Sequence, residues 1–341
     1  MLNFGRCRLF ANSAPYSARA IDLVERSLVT DMLGLVTLDW PKQSRWLADP
    51  SSFPSANLQK IQSSAISVFH PAVHFPSGEP TQTARYFLRS WNHFLQYQRD
   101  HFLRVERAED FLTAKNSERI GVLLGLQDSE HLVSVDDVNR YHALGQRISQ
   151  LTYNQRSLMG CGCLEPRDSG LTAFGAAVVQ RMNETGMAID VSHCGPRTTL
   201  DAFAASRRPV LITHSNCSAL VPGQPRCKSD EVLRKMARQG GVIGITAIRS
   251  FVHRGGPVHV EHVLDHFAHV ARLVGVEYVG IGSDLDVDVG RGEAVLHPTT
   301  RIFDLTEGLL RRGFSEDATR LMLGGNFVRA LKDIWGPRPA G

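Results

Sequence analysis

Two histidines set much of the chemistry this sequence offers. His193 follows the apolar run Met187–Val191 and Ser192, and His214 follows the run Val210–Thr213. Small or polar residues come next, Cys194-Gly195 and Ser215-Asn216. Neutral imidazole is the commonest metal ligand, and two from consecutive strands can hold one divalent ion. The same pair can equally be hydrogen-bonded strand ends. Asp284 closes the run Tyr278–Ser283 in Gly-Ser-Asp-Leu-Asp. A carboxylate there can act as base, metal ligand or partner for a substrate amine, or cap a helix or pair with the rim. Gly282 allows close backbone approach, and Asp286 would point the same way as Asp284 on an extended chain. Arg226, in Pro-Arg-Cys-Lys-Ser-Asp-Glu, could clamp a carboxylate through a bidentate pair. The plainer reading makes it a solvated loop residue.

Further polar residues close other apolar runs: His70, Gln127 with Asp128, and Tyr153 with Asn154. His262, His266 and His269, with His259 just before them, share a helical face. Without an H-E-x-x-H motif they read as a solvated face rather than a metal site. Cys161-Gly162-Cys163 lacks zinc-knuckle spacing. Six cysteines in 341 residues do not make a disulfide framework and read as buried or inert thiols.

These residues need elements to position them. Eight runs rich in Val, Ile and Leu suit strands buried on both faces of a parallel sheet. They are Leu28–Leu38, Ala65–Phe69, Ile120–Leu126, Ile148–Tyr153, Met187–Val191, Val210–Thr213, Val242–Ala247 and Tyr278–Ser283. Helical spacing marks Asp136–Leu144, Phe174–Glu184, Thr198–Ala205, Asp230–Arg238, Val260–Leu273, Leu305–Arg312 and Asp317–Leu323. Alternating strands and helices predict an α/β fold, a (β/α)8 TIM-type barrel, with an open doubly wound sheet as the alternative. The first strand is followed by no G-x-G-x-x-G, which speaks against dinucleotide binding. Pro41–Ser64 and Pro71–Thr83 read as long loops. One barrel domain is expected over residues 20–341, after an N-terminal extension at 1–19.

The composition excludes several classes. Hydrophobic residues are 43% and charged residues 21%, ordinary for a globular chain. A formal net charge of +4 gives no case for nucleic-acid binding. No run approaches the ~18 apolar residues of a membrane span, and the N-terminus lacks the apolar core of a secretory signal. The expected location is therefore the cytoplasm.

Several longer segments carry a resemblance. GMAIDVSHCGPRTTLDAF, RPVLITHSNCSAL, PRCKSDEVL, YVGIGSDLD and LTEGLLRRGFSEDATRLMLGGNFVRAL resemble the renal (membrane) dipeptidase family of zinc peptidases. The resemblance implies a metal-dependent amidohydrolase-type barrel with two zinc ions. Their ligands would be a His and an Asp of an H-x-D on the first strand, a bridging Glu on the third, and one His each from the fifth and sixth. By motif, His193 and His214 match the last two ligands. Arg226 matches the arginine that holds the substrate carboxylate, and Asp284 the eighth-strand aspartate. Elsewhere the chain departs. Leu33 and Leu35 stand at the H-x-D positions, Gln127 replaces the Glu, and Tyr153 replaces a histidine that polarises the scissile carbonyl. It thus looks like an atypical branch with G-F-Q on the third strand and tyrosine on the fourth.

The resemblance implies a dipeptidase-like metallo-hydrolase for a dipeptide or N-acylated amino acid. Its site would hold at most one zinc or other divalent ion, on His193 and His214. Gln127, Asp128, Asp39 and His70 are the candidates for a further ligand. Asp284 and Tyr153 would be catalytic, with Arg226, Asn154 and Tyr153 binding substrate. The alternative is a non-peptidase descendant that binds a small zwitterion or works without metal. A homodimer fits the resemblance.

Overall fold

The computed structural model describes residues 16–74, 78–290, 292 and 294–336. Most of the extension expected at 1–19 lies outside them. Among the described residues ten short parallel strands form: β1 Thr30–Asp31, β2 Val68–Phe69, β3 Phe102–Arg104, β4 Ile120–Val122, β5 Gly125–Leu126, β6 Ile148–Gln150, β7 Ala188–Asp190, β8 Val210–Ser215, β9 Ile243–Ile245 and β10 Val279–Ile281. They are ordered β1-β2-β4-β3 and β10-β9-β8-β7-β6-β5. The two groups join into a ring. Leu123 N–H donates to Phe69 O at 2.9 Å and Arg147 N–H to Leu124 O at 2.9 Å, so β4 and β5 act as one interrupted strand. On the other side Met32 N–H donates to Ile281 O at 3.0 Å and Leu35 N–H to Leu285 O at 2.9 Å. This is the α/β barrel that the eight apolar runs predict, with β3 added outside β4.

A buried ion pair sits at the closing seam. Asp31 and Arg301 are both wholly buried, with Arg301 Nη2 3.1 Å from Asp31 Oδ2. Asp31 also accepts from the backbone and hydroxyl of Ser283, and Arg301 Nη1 donates to Asp286 O at 2.9 Å. Phe327, Leu331 and Ile334 of the last helix, Asn326–Trp335, close the opposite end of the barrel. They pack with Val68, Ile148, Ala188, Leu211 and Val242 at or near the starts of strands.

The expected helix Asp230–Arg238 forms with those bounds and the others with shifted ends, while both expected loops contain structure. Residues 41–64 hold the helices Trp40–Ala48 and Ser55–Ser63 with a short turn between them. Asp39 caps the first through Lys42 N–H at 3.0 Å, with Pro41 in its first turn. The second loop runs into the helix Pro80–Tyr97, capped by Glu79. That helix, which the sequence reading did not foresee, buries Ala84, Phe87, Leu88, Trp91, Phe94 and Leu95 at helical spacing.

Candidate functional site

Strand ends surround a cleft of about 820 Å³. Gln127, Tyr153, Asn154, His193, Arg226 and Asp284 all line it. His214 lies wholly buried behind His193. It sits where the pairing of β8 with β9 shifts register between Ile212 and Ser215, an irregularity of the kind that re-aims side chains beside active sites. Asp284 adopts φ of +60°, in the left-handed region that aspartate tolerates better than most residues. Its N–H donates to Leu33 O at 2.9 Å, across the closing seam. Two residues earlier, Thr213 O of β8, two strands away, lies where a Cβ on Gly282 would stand, so only glycine fits there.

The rings form a column. His74 stacks on Tyr153 with centroids 3.9 Å apart, and Tyr153 stacks on His193 at 4.2 Å. His193 meets His214 Nε2 to Nε2 at 2.9 Å. His193 Nδ1 faces Asn154 Oδ1 at 2.7 Å, and His214 Nδ1 faces Thr213 Oγ1 at 2.9 Å. Thr213 gives its hydroxyl hydrogen to Asp190 Oδ2 at 2.6 Å, so His214 donates through Nδ1 and keeps a lone pair on Nε2. If His193 donates to Asn154 Oδ1, its Nε2 is a lone pair as well. Two lone pairs then face one another, an arrangement relieved by a cation between them. Rotating the Asn154 amide relieves it too, by letting His193 Nε2–H donate to His214. Burial, then the charge of Arg226, then His214 push the His193 imidazole well below its usual range. The His193 ring is therefore neutral at physiological pH.

The donor set does not complete a family-type metal centre. Leu33 is buried without a donor atom, and Leu35 lines the cleft with a hydrocarbon face. Gln127 spends its amide N–H on Ala72 O at 2.9 Å. Among the described residues no three His, Cys, Asp or Glu side chains gather where they could hold an ion. The four further ligand candidates are committed elsewhere or do not join the pair. Asp39 is a helix cap, and Asp128 Oδ2 lies 2.6 Å from His74 Nδ1. His70 donates through Nδ1 to Met32 O at 2.7 Å, with its Nε2 packed against Gly125. Catalytic zinc usually takes three protein ligands, and here two nitrogens converge.

Arg226 is buried rather than solvated. It donates to Ser192 O through Nη1 and to His214 O through Nη2, the latter at 3.1 Å, and lies over the Phe251 ring at 5.3 Å. Its Nε is buried and has no hydrogen-bond partner among the described residues. Beside it Lys228, which the sequence reading passed over, donates to Val191 O at 2.7 Å and Cys194 O at 2.8 Å. Burial pushes its ammonium down to about 8. The pair fastens the loop after β8 beneath the cleft.

Other expectations need correction. Asp286 faces its own loop, accepting N–H groups of Leu38, Val289 and Gly290 at 3.1, 2.9 and 2.7 Å. The histidine helix is not a wholly solvated face. His266 is buried between Cys217 N–H and Val252 O, and His269 pairs with Asp230 at 2.8 Å. Cys161, Cys163, Cys194, Cys217 and Cys227 are free and buried, whereas Cys7 lies outside the described residues. Gly162, between two of them, presses its Cα against Tyr153 and Asn154, so the Cys-Gly-Cys segment serves backbone packing.

Residues 19–335 match the model of the membrane dipeptidases, peptidase family M19. A dipeptidase (verJ) of Clonostachys rogersoniana is 34% identical over 221 residues, 64% of this chain and 56% of its own length. Dipeptidase 3 of Rattus norvegicus is 29% identical over 226 residues, 64% of this chain and 46% of its own. These matches span about half the length of the curated relatives. The solved structure of an amidohydrolase from Pseudomonas aeruginosa superposes with a TM-score of 0.82 at 27% identity, covering 93% of this chain and 99% of that one. The match to the family model covers most of the chain, and its barrel and cleft agree with it: the chain belongs to the membrane dipeptidase family, peptidase family M19.

Proposed function

We propose that this chain acts on a dipeptide or N-acylated amino acid carrying an apolar side chain, without the binuclear metal centre of its family. The ring column carries this reading. His74, Tyr153 and His193 stack into the cleft, and the nitrogens of His193 and His214 are taken by each other, Asn154 and Thr213. Arg226 supplies further N–H groups for a substrate carboxylate, and Tyr153, Asn154 and Asp284 flank the amide. Leu35, Leu38, Trp40, Leu47, Tyr86 and Phe87 give the cleft an apolar wall for the side chain.

A second reading keeps one divalent ion between His193 and His214. The convergence of their two Nε2 atoms at 2.9 Å favours it.

Elemental analysis of untagged full-length protein, with calorimetry on a dipeptide panel before and after chelation, separates the two. Saturable binding of apolar dipeptides that survives chelation supports the first. Binding lost on chelation, with about one ion per chain removed, supports the second. No binding of any dipeptide or N-acyl amino acid overturns both.

A further inference from the structure

We infer that His74 and Asp128 form the proton-transfer dyad of this cleft, a task that His193 and His214 are not placed to perform. The inference rests on the reading of the cleft as a site for a small amide.

Each imidazole's bonding decides the point. His193 and His214 turn all four ring nitrogens toward Asn154, Thr213 and each other. His70 is buried and turned toward Met32 and Gly125. His74 differs. Its Nδ1 lies 2.6 Å from Asp128 Oδ2, while its ring is partly exposed along the cleft wall. The Asp128 carboxylate is itself oriented, since Oδ1 accepts Glu130 N–H at 3.1 Å. A carboxylate on Nδ1–H fixes the tautomer and leaves Nε2 as a base, the orienting role an acid partner plays for a catalytic histidine. Among the described residues no hydrogen bond occupies Nε2. Stacking on Tyr153 fixes the plane of the ring.

The step balances without an added reagent. His74 Nε2 takes a proton from water as the water oxygen bonds to the amide carbon. Asp128 stabilises the imidazolium. The proton then passes to the amide nitrogen as the C–N bond breaks, releasing an amine and a carboxylic acid and returning neutral His74. One water is consumed.

The test uses full-length protein and alanyl-leucine as probe. Diethyl pyrocarbonate footprinting should modify His74 ahead of His193 and His214, and saturating alanyl-leucine should protect it. Among active-site variants, His74→Gln and Asp128→Asn should each lower kcat for alanyl-leucine by about 100-fold or more with little change in KM. Exogenous imidazole should restore part of the activity of His74→Gly. Unchanged kcat in His74→Gln, turnover absent from the unmodified protein, or an unreactive His74 would overturn the dyad. Dipeptide binding with an unreactive His74 refutes the dyad alone. A reactive His74 with no dipeptide binding refutes the substrate reading, and the hydrolytic step with it.

Discussion

His193 and His214 meet through their Nε2 atoms at 2.9 Å, and whether His193 carries a hydrogen there is decided by Asn154, on another strand end. A rotatable amide leaves that choice open. An acceptor-only carboxylate at residue 154 would force His193 to donate through Nδ1 and would leave two lone pairs converging. We expect Asn154→Asp to bind zinc at least ~10-fold more tightly than the parent, because a carboxylate behind a histidine strengthens its metal affinity. Competitive titration with a fluorescent zinc chelator measures this, and equal affinities would refute it.

Arg226 holds carbonyl groups beneath the cleft and also lines it. Arg226→Lys should weaken binding of a dipeptide with a free carboxylate by about 2 kcal/mol, since lysine cannot reproduce the bidentate geometry. A C-terminally amidated dipeptide should lose little. Calorimetry with the two ligands separates loss of the carboxylate contact from general distortion, which would weaken both equally.

Acid should destabilise the fold through its buried histidines. His266 accepts Cys217 N–H at Nδ1 and donates to Val252 O from Nε2, so the neutral ring is fully bonded. Burial lowers it from 6.5 to about 4. Between these values the unfolded chain binds the proton and the folded chain does not, so stability falls as pH drops from 6.5 toward 4. The contribution is on the order of 3 kcal/mol. His131, also pushed to about 4 by burial, acts in the same direction. Urea unfolding at pH 7 and pH 5 should show His266→Gln less stable than the parent at pH 7 and less sensitive to acid. An equal pH response in the two proteins would exclude His266 as a source.

Asp288 fastens one wall of the cleft. Its side chain is nearly buried and accepts from Thr37 at 3.0 Å, Lys42 at 2.7 Å, Asn57 at 3.1 Å and Lys60 at 3.1 Å. Burial pushes this carboxyl up, but hydrogen bonds from Lys42, Lys60 and Thr37 outweigh it and hold the group below its usual range. Asp288→Ala should release the Trp40–Ala48 and Ser55–Ser63 helices, which carry cleft residues Trp40, Gln43, Ser44 and Leu47. Limited proteolysis should then cut within residues 40–63 at least several-fold faster. Unaltered cleavage would show that apolar packing alone holds those helices.

The strands were legible because burial on both faces leaves apolar runs, from Ile120–Leu126 to Tyr278–Ser283. Except in β8, which extends past its run to Ser215, their hydrogen-bonded cores are shorter than the runs because pairing ends where the chain turns toward the cleft. The helix Pro80–Tyr97 went unread, although Phe87, Leu88, Trp91, Phe94 and Leu95 carry helical spacing, because the Pro and Gly before it read as loop. Arg226 came forward only through the family resemblance, whereas His193 and Asp284 announced themselves as polar residues near strand ends. His74 did not, because its carboxylate partner lies 54 positions away and only folding brings them together. The commitment of Asp128 to His74, and the bond Asp286 accepts from Leu38 N–H 248 positions away, were hidden for the same reason.

The Asp31–Arg301 pair has a consequence for the order of events as the chain is made. The two residues are separated by 270 positions. During synthesis from the N-terminus, β1 emerges first and its cation emerges nearly last. Until then Asp31 has no guanidinium to neutralise it, and burying it would be costly. The nascent chain can build from β2 toward β10, but the seam must wait. A ribosome stalled before residue 301 would therefore display an open barrel with its first strand unsealed, the state most exposed to chaperones and proteases.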